Sequence, residues 1–129
     1  MLFFEARLGD LIKTAGANVT PREVEVLIEA QPEVKEAYVV GVLDPDRGQN
    51  VAAAVVLQAG RELPRETLHA RLRGDLSAYK VPRHYFYFAH AELPFTDSGK
   101  IDKRGLAALL GERIAAGDLG LPRRSLPRT

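Results

Sequence analysis

Lys100 is the residue of this chain best placed to do chemistry. It sits in the stretch Leu93-Pro94-Phe95-Thr96-Asp97-Ser98-Gly99-Lys100-Ile101-Asp102. Pro94 stiffens one limb, Thr96, Asp97 and Ser98 supply turn chemistry, and Gly99 can take a positive φ or let another molecule approach closely. Asp102 is suited to cap a helix, and Leu106, Leu109, Leu110 and Ile114 behind it fall at helical spacing. A lysine between a constrained turn and a helix start is a charge held in place, as one that must meet another molecule would be. On local sequence alone a plainer reading stays open, in which Lys100 is one of eighteen Lys and Arg side chains on a solvated face.

The elements that must position it are legible along the chain. Leu11–Lys13 and Asn18–Val19 flank Thr14-Ala15-Gly16-Ala17 and read as a small β-hairpin with Gly16 at its tip. Thr20-Pro21-Arg22-Glu23 has the form of a capping box with proline at the first helical position, and Val24, Leu27 and Ile28 then share a face until Pro32. Residues 37–43 and 51–57 are apolar runs of strand length, expected to be buried on both faces and paired antiparallel across the turn at Asp44-Pro45-Asp46-Arg47-Gly48. Pro64 opens a second helix through Leu68, Leu72 and Leu76. His84–Phe88 is a third strand with Tyr85 and Tyr87 on one face, Phe86 and Phe88 on the other. The expected fold class is α+β, an α/β two-layer arrangement in which a β-hairpin precedes a three-stranded sheet packed with three helices.

Composition narrows the chemistry. At 129 residues the chain suits one domain with a real core. Its formal charge of +1 offers no field for nucleic acid, and the alternating aromatics of the third strand read as core rather than as a stacking platform. Cysteine is absent, which excludes disulfides and thiol catalysis by the chain. His69, His84 and His90 show no ligand spacing, so no protein metal site is expected. No apolar run reaches membrane-spanning length, and Met-Leu-Phe-Phe followed by Glu5 is too short for a signal peptide, so a cytoplasmic location is the expectation.

Three stretches, in order and spacing, resemble the C-terminal domain of the adenylate-forming enzymes, the group that includes acyl-CoA synthetases, luciferases of the firefly type and peptide-synthetase adenylation domains. They are Arg7-Leu8-Gly9-Asp10-Leu11-Ile12-Lys13 continuing through Gly16, Val19, Pro21, Glu23 and Glu25; then Tyr79-Lys80-Val81-Pro82; then Thr96-Asp97-Ser98-Gly99-Lys100-Ile101-Asp102. The resemblance spans about residues 3–112. It implies a two-step chemistry, in which a carboxylate attacks ATP to give an acyl-adenylate and a thiol then displaces AMP. In such enzymes the small domain rotates between the steps.

The resemblance assigns roles residue by residue. Lys100 matches the lysine that contacts carboxylate and α-phosphate during adenylation, and Lys13 a lysine that faces the active site in the second conformation. Arg7 matches an arginine that reaches the nucleotide ribose. Gly16, Ala17 and Asn18 match the hairpin tip along the pantetheine path, and Gly9 stands at the hinge. Two positions depart from the pattern: Ala6 replaces a usual glycine, and Gly9 replaces the Asp or Lys common at the hinge. ATP with magnesium and coenzyme A are implied for a full enzyme, with none expected on this chain alone. The implied partners are a large N-terminal adenylating domain, a carboxylic acid and the CoA thiol.

The implied organisation is residues 1–10 as a hinge-proximal segment of the N-terminal domain, 11–116 as the C-terminal domain and 117–129 as a flexible tail. The phosphate-binding loop, adenine pocket and acyl pocket of the family have no counterpart here, so the chain is expected to be inactive alone. A second reading from another class is a free-standing interaction module that acts in trans on an adenylating domain or a carrier protein.

Overall fold

The computed structural model describes residues 11–14, 17–44, 48–77 and 80–118. Its elements run β1 (Ile12–Thr14), β2 (Ala17–Val19), α1 (Pro21–Glu29), β3 (Val34–Asp44), β4 (Gly48–Leu57), α2 (Arg65–Arg73), β5 (His84–Tyr87), a 3-10 turn (His90–Glu92) and α3 (Lys103–Ala115). This is the element order that hydrophobic period and turn chemistry predict, and the α+β class holds.

β4 is the spine of the sheet. It pairs antiparallel with β3 along its whole length, from Val34↔Leu57 to Asp44↔Gly48. On its other side it pairs in parallel with β5, from Ala52↔His84 to Val55↔Tyr87, after the crossover through α2. Below β5 the hairpin joins the same edge through Thr14↔Gly48, so the hairpin extends the sheet to five strands instead of standing apart. Among the described residues β3 has β4 on one side only, which makes it an edge strand.

Period-two alternation sorts the side chains into two cores. Ala37 and Val39 of β3, Val51, Ala53 and Val55 of β4 and Tyr85 of β5 face one side, where Val24 and Ile28 of α1 and Leu68 and Leu72 of α2 cover them. Val40 and Val42, Ala52, Ala54 and Val56, and Phe86 face the other, under Leu106 and Leu110 of α3. The near-continuous apolar runs thus follow from burial on both faces, with the three helices divided between them. The three small alanines of β4, Ala52–Ala54, let both helical layers approach the sheet closely.

One local expectation fails. The Thr20 side chain makes no cap hydrogen bond; the Thr20 carbonyl accepts the Glu23 N–H at 3.1 Å, and the Glu23 carboxylate pairs with Lys80 at 2.9 Å. A long-range cation outcompetes the local capping box, and the helix start rests on Pro21 at its first position.

Candidate functional site

The loop that carries Lys100 is a short irregular hairpin. Phe95 and Ile101 close its neck as an antiparallel bridge. Inside it, the Thr96 N–H donates to the Lys100 carbonyl at 2.7 Å, and the Gly99 N–H donates to the Thr96 carbonyl at 2.9 Å. The Thr96 hydroxyl lies 3.1 Å from Ser98 Oγ and accepts the Lys100 N–H at 3.3 Å. Gly99 has φ +88°, the left-handed conformation the sequence anticipates for it. Each residue from Thr96 to Lys100 is solvent-exposed, so order here comes from backbone hydrogen bonds and not from burial. Lys100 makes no ion pair among the described residues, leaving its ammonium open to an incoming anion.

Both limbs of the loop are anchored. On the outgoing side, the Asp102 N–H donates to the Pro94 carbonyl at 2.9 Å, and the Asp102 carboxylate accepts the Gly105 N–H at 3.0 Å, capping α3 as expected. On the incoming side, the Phe95 ring stacks on His90 at 4.6 Å between centroids. His90 Nδ1 in turn donates to Glu36 of β3 at 2.7 Å, and the Tyr38 hydroxyl donates to the same carboxylate at 2.6 Å. Burial alone would raise the Glu36 carboxyl, but the bonds from Tyr38 and His90 outweigh it and hold Glu36 below the usual carboxylate range. Burial, and then the Glu36 charge, push the Tyr38 hydroxyl well above its ordinary value, so it stays a donor.

The second set of sequence-predicted residues sits on the hairpin. Lys13 pairs with Asn18, and Thr14 with Ala17. The Lys13 and Asn18 side chains are exposed while Ile12, Thr14 and Val19 are buried, so one face of the hairpin rests on the domain and the other presents Lys13 and Asn18. Ala17 is half-buried beside them. Gln49 of β4 steadies the strand: its Oε1 accepts the Lys13 N–H at 2.9 Å. Lys13 and Lys100 are therefore presented by separate elements, and no described hydrogen bond joins them. Arg7, Gly9 and Gly16, together with Tyr79, lie outside the described residues.

Residues to which sequence reasoning gave no role complete the picture. Glu25, on α1, is only 5 % exposed, and its carboxylate accepts from Lys103 Nζ at 2.7 Å, from the Val39 N–H at 2.8 Å and from Arg22 at 3.3 Å. The available signal is a carboxylate on the apolar face of an amphipathic helix, three positions before Ile28, which demands a buried cation or donor. A cleft of about 590 Å³ opens beside this cluster, with Leu11, Pro21, Gly41, Gln49, Arg104 and Ala107 among its walls. The described residues hold no group of three His, Cys, Asp or Glu suited to a metal, and no described helix is long and apolar enough to cross a membrane.

Comparison with known proteins places the chain in a family. Residues 23–100 match the family model described as the AMP-binding enzyme C-terminal domain. The chain is 40 % identical over 102 residues to a medium-chain acyl-CoA ligase, ACSF2, mitochondrial, of Danio rerio, covering 79 % of this chain and 16 % of that protein. It is 42 % identical over 100 residues to a long-chain-fatty-acid–CoA ligase of Bacillus subtilis, covering 78 % and 18 %. Among solved structures, ATP-bound MatB from Rhodopseudomonas palustris superposes with a TM-score of 0.77 at 33 % identity, over 82 % of this chain and 21 % of that one. The amide bond synthetase McbA from Marinactinospora thermotolerans gives 0.74 at 39 % identity, over 80 % and 20 %. The chain thus spans about a fifth or less of the length of such relatives. With the family match covering more than half of its residues, the chain belongs to the AMP-binding enzyme C-terminal domain family.

Proposed function

We propose that this chain is the mobile C-terminal domain of an ATP-dependent, AMP-forming acyl-CoA synthetase, supplying Lys100 to adenylation and the β1–β2 hairpin to thioester formation. The observation that carries the reading is the Lys100 loop: an exposed ammonium, without an ion pair among the described residues, fixed by the Phe95/Ile101 bridge and the turn at Gly99. The names of the relatives support acyl-CoA ligation as the overall reaction.

In the first step a carboxylate oxygen attacks the α-phosphorus of ATP, the bond to the β-phosphate oxygen breaks, and pyrophosphate leaves. The two reacting groups are both anionic and repel each other. An ammonium placed between them offsets that repulsion, and the developing charge on the α-phosphate oxygens strengthens its contact as the reaction proceeds. At an effective dielectric near 20, a unit charge about 4 Å away contributes roughly 4 kcal/mol, on the order of a thousandfold in rate.

In the second step the CoA thiol attacks the acyl carbon and AMP leaves. The hairpin face bearing Lys13, Ala17 and Asn18 is assigned to that conformation, with Gly16 at the tip along the thiol's path and Gly9 as the hinge between states. Arg7 is assigned to the nucleotide ribose. The magnesium that accompanies ATP is given no ligand on this chain. The N-terminal adenylating domain of the larger enzyme holds the nucleotide and acyl pockets, so this chain alone is inactive. A cytoplasmic location belongs to the same reading, although the ACSF2 relatives are named as mitochondrial.

The test uses the full-length enzyme and follows pyrophosphate release with ATP and a panel of carboxylic acids. Lys100→Ala is expected to lower release about a thousandfold while sparing thioester formation from supplied acyl-adenylate. Unchanged pyrophosphate release in a folded Lys100→Ala enzyme would remove the role assigned to this lysine.

A further inference from the structure

The Glu25–Lys103 pair occupies an unusual place. Glu25 belongs to α1, which covers one face of the sheet, and Lys103 opens α3, which covers the other. They meet at 2.7 Å around the outer edge of β3, the edge with no neighbouring strand among the described residues. There they also satisfy the backbone of one residue: Glu25 Oε2 accepts the Val39 N–H at 2.8 Å, and Lys103 Nζ donates to the Val39 carbonyl at 3.0 Å. The ion pair stands in for the missing strand at that position, a charged closure of an otherwise open edge. Its members are fixed by geometry, since Glu25 is 5 % exposed and a nearly buried carboxylate requires its partners.

Lys103 lies three residues after Lys100. Between them the chain has little freedom, because Ile101 is bridged to Phe95, the Asp102 N–H is bound to the Pro94 carbonyl and the Asp102 carboxylate caps α3. A shift of the first turn of α3 is therefore handed directly to the Lys100 loop. We propose that Lys103, clamped by Glu25 at the β3 edge, is a positioning residue for Lys100, fixing the direction in which the Lys100 ammonium is presented. The proposal rests on the reading of Lys100 as the adenylation lysine. It predicts that adenylation is sensitive to a residue that touches no substrate, because displacement of a reacting group by about 1 Å can cost on the order of a hundredfold in rate.

Two measurements test it. In the 129-residue chain, backbone amide relaxation of Gly99, Lys100 and Ile101 reports loop order directly. Lys103→Met is expected to raise the mobility of these amides, and Lys103→Arg, which keeps the charge and the donors, to restore it. In the full-length enzyme, Lys103→Met is expected to lower kcat for adenylation ten- to a hundredfold with KM for the carboxylic acid changed less than threefold, and Lys103→Arg to recover most of the loss. Thioester formation from supplied acyl-adenylate should change less than threefold. In the Lys100→Ala background, Lys103→Met should have no further effect on adenylation, since nothing is left to position.

Should Lys103→Met leave Glu25 too poorly matched for the protein to fold, Glu25→Gln keeps the Val39 contact and weakens the grip on Lys103, and is expected to loosen the same three amides. Unaltered loop relaxation in folded Lys103→Met or Glu25→Gln protein would overturn the proposal, as would equal losses in both half-reactions. If Lys100→Ala itself spares adenylation, the functional reading has failed, and the relaxation data still decide whether the edge clasp orders the loop.

Discussion

A β-carbon on Gly41 would lie 2.7 Å from Nε2 of Gln49, and the opposite end of that amide holds the Lys13 N–H at 2.9 Å. Gly41 is thus the space through which Gln49 reaches from β4 to β1. Gly41→Ala would push against the far end of a flexible side chain, so Gln49 can swing away, but only by releasing Lys13. The expected loss is about 1 kcal/mol, the net worth of one hydrogen bond, with some addition from Ile12 Cγ2 at 3.1 Å. Gln49→Ala should cost a similar amount, and Gly41→Ala should cost less in the Gln49→Ala background. Urea denaturation of the four-member cycle measures the coupling. Full additivity would show that the two residues act independently.

The sequence discloses this arrangement only in part. Hydrophobic period identifies β3, β4 and β5, and turn chemistry identifies the antiparallel partner, because strand alternation and proline or glycine punctuation are local signals. The Lys100 loop is legible for the same reason: Gly99 at φ +88° and the Asp102 cap are consequences of adjacent residues. What local pattern does not carry is partnership across distance. Glu25 and Lys103 are separated by 78 positions, and Lys80 and Glu23 by 57, so neither pair leaves a trace in any short window. Glu23 looks like half of a capping box, and only the fold shows it engaged with Lys80. Gln49 likewise shows no partner in the sequence until β1 is laid beside β4.

Gly105 illustrates a substitution whose sign is reversed by its neighbour. In the first turn of α3, replacing glycine with alanine would ordinarily gain up to about 1 kcal/mol in helix propensity. Here the new β-carbon would lie 2.7 Å from Asp102 Oδ2, the carboxylate that caps the helix. Gly105→Ala is expected to displace that cap, which is itself worth about 1 kcal/mol, and so to be neutral or destabilising. In an Asp102→Ala background the same change should stabilise. Thermal melts of the two single variants and the double variant check this, and a clear rise in Tm for Gly105→Ala alone would contradict it.

Gly99 presents the complementary case: a β-carbon added there would meet nothing within 4 Å, but the backbone holds φ +88°. Gly99→Ala therefore meets conformational strain without a steric clash. The expected cost is about 1 kcal/mol, lower than for a buried collision and confined to the loop. Asparagine, which tolerates the left-handed region better, should cost less. Equal losses for Gly99→Ala and Gly99→Asn in urea denaturation would argue against the strain account.

His69 gives the domain a pH dependence whose sign follows from its surroundings. Its Nδ1 lies 3.0 Å from the Tyr85 hydroxyl, and the two rings meet edge to face at 5.8 Å. Burial, and then the Arg73 cation, lower the His69 pKa, against a hydrogen bond to the Pro82 backbone that raises it. Burial, with a smaller contribution from Tyr87, pushes the Tyr85 hydroxyl far up, so it remains protonated and donates to a neutral imidazole. Between the folded value and the unfolded value of about 6.5, the unfolded chain binds more protons at this site than the folded one. Stability from His69 is therefore fully present above about pH 6.5 and is lost as pH falls below it toward the folded value. Urea denaturation at about pH 7.5 and about pH 5 should show the wild type losing more stability than His69→Gln, whose side chain does not titrate. An identical pH response in the two proteins would mean that His69 is as readily protonated in the fold as in the open chain.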